Sequence, residues 1–150
     1  MAESTAEATL TIHDLARKSQ AAAGAKDRAT WLSLFAPDAT VEDPIGPSPF
    51  DPEGKGHHGT EGITAFYDNV IEQVDGIVFD IERTYICGDE MADVGRIRMA
   101  LPGGTHVAVV EGVFTYRGNG AGKLIALRAF WEIGKLAIVE AQSPPASDSS

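Results

Sequence analysis

The hydrophobic pattern divides the chain into a first part with helical spacing and a second part in which polar and apolar residues alternate. In the first part, Leu10, Leu15 and Ala22 recur at helical spacing among residues of high helix propensity. A second helix is expected to start at the cap Asp27, and a third at the cap Thr60. The elements predicted before residue 74 are helices over 9–25, over 27–35 and from 60 onwards, a short strand over 39–43, and an aperiodic loop over 45–59.

After Gln73 the period changes to two, which is typical of strands with one buried face. Helices followed by an antiparallel meander predict an α+β fold, in which three N-terminal helices pack on a curved, mostly antiparallel sheet. Such a sheet leaves a cone that encloses an apolar pocket. We expect one domain over 1–150, ordered from about 8–138, with disordered tails over 1–7 and 143–150. The predicted strands cover 78–86, 90–101, 105–117 and 123–133.

Composition and charge limit the classes of function. A net charge of −10 repels phosphate backbones, so no nucleic-acid partner is expected. No apolar run approaches the ~20 residues of a membrane span, the N-terminus lacks a signal pattern, and a lone Cys87 fits a reducing compartment. We therefore expect a cytoplasmic protein without a membrane partner. Motifs for metal, phosphate or nucleophile sites are absent, so no metal site is expected.

One segment carries a family resemblance. Residues 34–46 read Leu-Phe-Ala-Pro-Asp-Ala-Thr-Val-Glu-Asp-Pro-Ile-Gly and resemble the ketosteroid isomerase family of the nuclear-transport-factor-2-like (SnoaL-like) superfamily. Residues 63–67, 119–123 and 127–131 resemble that family's third helix, last turn and last strand, in the same order. The resemblance implies the cone fold, a small apolar, steroid-like ligand, no cofactor and a homodimer. It also implies that Asp43 is the general base, which moves a proton alpha to a ketone on a steroid.

The residues around Asp43 allow two interpretations. A carboxylate at a strand end, followed by Pro44, can project into a cavity and is suited to accepting and returning one proton. Alternatively, Asp43 is a turn residue, because Asp-Pro commonly opens a loop.

The chain departs from the family pattern at the groups expected to donate hydrogen bonds to the ligand's oxygen. Counted back from Asp43 without a gap, the family's tyrosine falls on Ser19, which is a shorter and less acidic donor. The family's second donor, an acid, falls on Gly112, or on Glu111 if the register slips by one. Alternation places Val110, Gly112 and Phe114 on one face of a strand and Glu111 on the other. Losing one such donor costs about 10² to 10³ in rate in other enzymes.

Other side chains are candidates for contacting a ligand. Tyr67 and Trp131 resemble pocket-lining positions and could replace the missing donors, or they could be core residues. Phe50 lies in a loop longer than in the best-known isomerases and could cover the pocket mouth, whereas His57 and His58 in that loop are expected to be solvated. The predicted ligand-contacting residues are Phe35, Phe50, Tyr67, Gly112, Phe114 and Trp131.

Three hypotheses for function follow. The chain is a steroid delta-isomerase-like enzyme, or a steroid-binding protein with weak or no catalysis, or a polyketide cyclase or dehydratase on the same fold. The resemblance also implies pairing through the outer sheet face, for which an apolar row with Val109 and Val113 is suited.

Overall fold

The computed structural model describes residues 10–141. The predicted tails over 1–7 and 143–150 therefore lie outside the described residues. Within 10–141, no helix is long and apolar enough to cross a membrane. The helices are α1 (Ile12–Ala25), α2 (Arg28–Ser33) and α3 (Gly59–Phe66), followed by a π-helical segment (Tyr67–Ile71). The strands are β1 (Phe35–Glu42), β2 (His57–His58), β3 (Gly76–Cys87), β4 (Glu90–Ala100), β5 (His106–Gly118), β6 (Leu124–Phe130) and β7 (Ala137–Glu140).

The strands form one sheet in the order β2-β1-β6-β5-β4-β3, and β7 pairs with β5. The meander from β3 to β6 is antiparallel, whereas β1 lies parallel to β6. The core lies between the helices and the inner sheet face and includes Leu15, Ile63 and Leu124. The predicted α+β class, with helices on a curved, mostly antiparallel sheet, is confirmed.

Local side-chain chemistry sets the starts of the first two helices. The hydroxyl of Thr11 accepts from the Asp14 backbone N–H at 3.1 Å, and the Asp14 carboxylate accepts from the Thr11 N–H at 3.2 Å. Asp27 accepts from the Thr30 N–H, so the predicted cap of α2 is confirmed. The predicted cap of α3 is wrong. That helix begins at Gly59, and its N-cap is His58, whose side chain makes no capping bond.

Strand pairing explains why two observed boundaries differ from the predicted ones. The second helix ends at Ser33 rather than near Phe35, because Phe35 already pairs with Leu124 in the parallel ladder between β1 and β6. β1 is therefore longer than predicted and contains an irregularity between Phe35 and Thr40. The predicted loop is correct up to residue 56, after which His57 pairs with Val41.

Two paired glycines lie where neighbouring backbones of the sheet approach closely. Gly112 of β5 faces Gly95 of β4. A Cβ at Gly112 would lie 2.1 Å from the Phe130 carbonyl oxygen, and one at Gly95 would lie 2.2 Å from the Asp80 carbonyl oxygen. Glycine at these positions allows close approach of neighbouring backbones.

β6 ends at Phe130, earlier than predicted. β7, which was not predicted, then pairs with residues of β5 up to Val109.

Candidate functional site

A cavity of about 350 Å³ lies between the helices and the inner sheet face. This volume falls at the lower end of the range for small-molecule pockets, roughly 300 to 1,000 Å³. Most of its wall is apolar and includes Phe66, Val70, Phe79, Ile97, Val110 and Phe114. Such a wall fits an apolar ligand and leaves the few polar side chains to determine its orientation.

Asp43 is the carboxylate in this wall. It directly follows β1, and Trp131 directly follows β6. Because β1 and β6 are parallel, with Glu42 opposite Arg128, the segments that follow the two strands leave the sheet at the same end. The Trp131 Nε1–H then donates to Asp43 Oδ1 at 2.7 Å.

The electrostatic environment of Asp43 favours its neutral form. Burial raises the pKa of the Asp43 carboxyl above its usual value, and the hydrogen bond from Trp131 opposes part of that rise. Within residues 10–141, Oδ2 has no hydrogen-bond partner in the protein. Asp43 therefore has one oxygen held by the indole and one oxygen available to a ligand.

A second polar group in the wall comes from α1 and β5. The Tyr116 hydroxyl accepts from Gln20 Nε2 at 3.0 Å, and burial raises the pKa of that phenol. Ser19 also lines the cavity, but its hydroxyl donates to the Ala16 carbonyl at 2.8 Å, in its own helix. The structure thus places Ser19 at the site while directing its proton away from a ligand.

Behind this group lies a buried ionic network centred on Asp93 of β4, which has no exposed surface. Its carboxylate accepts from Arg17 at 2.6 and 3.2 Å, from Gln20 Nε2 at 2.8 Å and from Thr84 Oγ1 at 2.6 Å. The network connects α1 to β3 and β4 and anchors Gln20 beside the cavity.

Three predicted ligand contacts lie outside the cavity wall that the described residues form. Phe35 and Tyr67 pack behind it against Trp31, with ring centroids 4.6 and 5.5 Å from the indole. The Tyr67 hydroxyl is buried there without a described partner. Gly112 is also absent from the wall, because the Phe130 backbone lies against it.

The predicted alternation along β5 is confirmed. Val110 and Phe114 line the cavity, whereas Glu111 lies on the opposite face and forms an ion pair with Arg96 at 3.5 Å. Val109, which we proposed as part of an exposed apolar row, is half-buried rather than fully exposed.

The predicted lid residue Phe50 lies in the cavity wall and is 46% exposed, and Ile138 of β7 is 52% exposed in the same wall. Both side chains therefore lie where the cavity meets solvent. Asp51 stabilises the loop that carries Phe50, because its carboxylate accepts a hydrogen bond from the Gly56 backbone N–H at 2.7 Å.

The neighbouring histidines lie in β2 rather than in a loop. The His57 ring packs against Phe66, and the His58 ring bonds to Thr40 Oγ1 at 3.2 Å. Among residues 10–141, no cluster of three potential metal-ligating side chains is found.

The sequence reasoning missed Tyr116 and Asp93. A signal for Tyr116 was present, because extending the inward series Val110, Gly112 and Phe114 by one step reaches it. Asp93 occupies an inward position between Met91 and Gly95, but its partners on α1 lie more than 70 residues away in sequence.

Comparison with known protein families shows which family this chain is related to. A profile of the SnoaL-like domain matches residues 16–127. The chain belongs to the SnoaL-like family. The fold of this SnoaL-like chain is also that of a Δ5-3-ketosteroid isomerase from a Mycobacterium species, with 33% identity, a TM-score of 0.80, and coverage of 85% of this chain and 98% of that one.

Two further solved structures resemble the SnoaL-like chain. A Mycobacterium tuberculosis protein in complex with estradiol-17beta-hemisuccinate is 34% identical, with a TM-score of 0.75 and coverage of 82% of this chain and 95% of that one. A computationally designed 17-OHP binder is 33% identical, with a TM-score of 0.77 and coverage of 83% and 95%.

Proposed function

We propose that the protein is a steroid delta-isomerase-like enzyme, in which Asp43 is the general base toward a steroid or a similarly apolar ketone. The observation that carries this proposal is the Asp43 carboxylate in an apolar cavity, with Oδ1 held by Trp131 and Oδ2 without a described partner. The similarity to a ketosteroid isomerase over most of both chains supports it.

The proposed reaction only moves a proton. Asp43 Oδ2 takes a proton from the carbon beside the ketone, and the released electron pair moves into the carbonyl to form a dienolate. The protonated Asp43 then returns the proton to the carbon two positions further along, so that the double bond shifts and the carboxylate is restored. A raised pKa favours the first half of the reaction, because the carboxylate accepts the proton more readily than a surface aspartate does.

Replacing the base tests this proposal. Asp43→Asn keeps an acceptor for the Trp131 indole but removes the base, so turnover of a 5-ene-3-ketosteroid should fall by about 10² to 10⁴. The matched control is Asp38→Asn, which removes an exposed carboxylate five residues earlier and should leave turnover unchanged. Isomer formation is followed by the absorbance of the conjugated product. Unchanged turnover in the purified Asp43→Asn protein would disprove the role of Asp43.

The second candidate is a steroid-binding protein with little or no catalysis. The specific observation in its favour is that neither position of the family's oxygen donors supplies one here. The hydroxyl of Ser19 bonds within its helix, and Gly112 lies outside the wall. Calorimetry that finds steroid binding, together with no isomer after prolonged incubation, would favour this candidate over the enzyme.

A further inference from the structure

We propose that the Tyr116 hydroxyl donates the hydrogen bond to the ligand's oxygen in this cavity, so that the site selects apolar ligands carrying a ketone. The proposal rests on the proposed function only in placing an apolar ketone in the cavity. It does not require Asp43 to catalyse turnover.

The orientation of the Gln20 amide is determined by its two charged neighbours. Its Oε1 accepts from Arg17 Nη1 at 3.0 Å, and its Nε2 donates to Asp93 Oδ2 at 2.8 Å. A guanidinium has no acceptor, and a carboxylate has no donor. Reversing the amide would therefore set donor against donor and acceptor against acceptor, and only the observed orientation satisfies both partners.

This orientation determines the role of the Tyr116 oxygen. A primary amide has two N–H protons, of which Gln20 gives one to Asp93 and the other to the Tyr116 oxygen, 3.0 Å away. The phenol is thus an acceptor toward Gln20, and its own proton has to point elsewhere. Within residues 10–141, no protein acceptor takes that proton, and Tyr116 belongs to the cavity wall.

Two other donors of the cavity wall are already used, and the wall's two amide side chains, Asn69 and Gln73, are exposed to solvent. The Ser19 hydroxyl donates to Ala16, and the Trp131 indole donates to Asp43. Gln73 lies at the exposed part of the wall and donates to the Asp68 carbonyl at 3.0 Å. Tyr116 is therefore the buried donor whose proton remains available to a ligand.

The position of Tyr116 also suits the proposed chemistry. It lies on the same inward-facing row of β5 as Val110 and Phe114, and both Tyr116 and Asp43 line the one apolar cavity. Burial and the nearby Asp93 and Asp43 charges raise the pKa of the phenol, which keeps its proton in place at neutral pH. A ligand bound between the two groups would have its oxygen on Tyr116 and its reacting carbon near Asp43.

The test compares the binding of two probes in an Asp43→Asn background, in which the proposed base is absent. The probes are a 4-ene-3-ketosteroid with no other oxygen and the corresponding 3-deoxo hydrocarbon, with affinities obtained by displacement of a fluorescent steroid. Tyr116→Phe should weaken binding of the ketone by about 3- to 10-fold, the usual value of one neutral hydrogen bond, and change hydrocarbon binding by less than about 2-fold. Tyr85→Phe, which removes an exposed phenol of β3, should change neither affinity.

A spectroscopic readout separates a direct bond from a structural effect. When a ¹³C-labelled 3-ketone binds to the Asp43→Asn protein, its carbonyl stretch should lie at a lower infrared frequency than in an apolar solvent. In the double variant with Tyr116→Phe, the frequency should return toward the apolar-solvent value. Equal loss of affinity for both probes, an unchanged stretch, or no binding of the ketone would overturn the proposal. Because these readouts do not involve turnover, they are independent of whether Asp43→Asn abolishes isomerisation.

Discussion

Two aspartates in the interior of this protein have opposite environments. Asp93 is fully buried and accepts hydrogen bonds from Arg17, Gln20 and Thr84. Asp43 lies in the cavity wall and accepts one described hydrogen bond, from Trp131. Asp93 is fully buried and Asp43 is partly buried, and of the two only Asp43 is left with an oxygen that a bound molecule could use.

The difference shows how the surroundings of a buried charge determine its use. A buried carboxylate whose lone pairs are all satisfied, with a cation beside it, is part of the framework. A buried carboxylate without a cation has a raised pKa and an incomplete set of hydrogen bonds, which is the condition expected of a functional group. On this criterion Asp43 belongs to the site and Asp93 to its support.

The largest effect should follow from breaking the framework carboxylate. Asp93→Ala leaves Arg17, Gln20 and Thr84 without their acceptor and should lower the free energy of unfolding by about 3 kcal/mol. This is the lower end of the range for breaking a buried ion pair, because the Arg17 side chain is 34% exposed and water can reach it. Urea denaturation measures the change.

The control for this variant is Asp80→Ala, which breaks an ion pair between Asp80 and Arg98 whose side chains are both 45% exposed. Exposed pairs contribute little, so the unfolding free energy should hardly change. Equal effects of the two substitutions would show that the Asp93 network does not support the fold as described.

The opposite sign is expected at Asp43. Its pKa is raised in the folded state from the usual 3.8, so the folded protein binds that proton more tightly than the unfolded chain. The stability that the protonated Asp43 contributes to the folded state is fully present below about pH 3.8 and is lost as pH rises through the raised pKa. At neutral pH, Asp43→Asn should therefore stabilise the protein by about 1 kcal/mol, the order of the cost of an under-satisfied buried group.

Urea denaturation across a pH series checks this sign. The gain from Asp43→Asn should grow as pH rises from 3.8 and become constant above the raised pKa. Asp38→Asn, at an exposed position, should give no such trend. A destabilised Asp43→Asn protein at neutral pH would contradict the assignment of Asp43 as an under-satisfied carboxylate.

The smallest effect should come from the hydrogen bond between Trp131 and Asp43. The base acts when ionised, so kcat/KM should rise with pH through the raised pKa of Asp43 and then level. Trp131→Phe removes the bond that lowers this pKa, and the midpoint of the profile should move to higher pH. Trp31→Phe removes the other tryptophan of the cavity wall, which has no bond to Asp43, and should leave the midpoint in place. A midpoint that is the same in Trp131→Phe and the parent protein would contradict this role.

Local sequence signals predicted most of the elements. The alternation from residue 78 onwards identified β3, β4 and β5 to within two residues at each end, because apolar residues recur at every second position along much of their inner faces. Boundaries that depend on a distant partner were predicted less well. β1 begins at Phe35 because β6 is beside it, and β7 exists because the chain turns back to β5 after Trp131.

By itself, the sequence determined the class of the fold, the inward rows of the sheet and the candidate Asp43, all of which follow from side-chain periodicity and from a contiguous motif. Only the tertiary structure decided which polar groups meet. Trp131 and Asp43 are 88 residues apart, and Gln20 and Tyr116 are 96 apart, so no local pattern connects them. The hydrogen bonds of the hydroxyl groups are decided in the same way. The Ser19 hydroxyl donates to its own helix, whereas the Tyr116 hydroxyl accepts from Gln20, whose amide is oriented by the ion pair between Arg17 and Asp93.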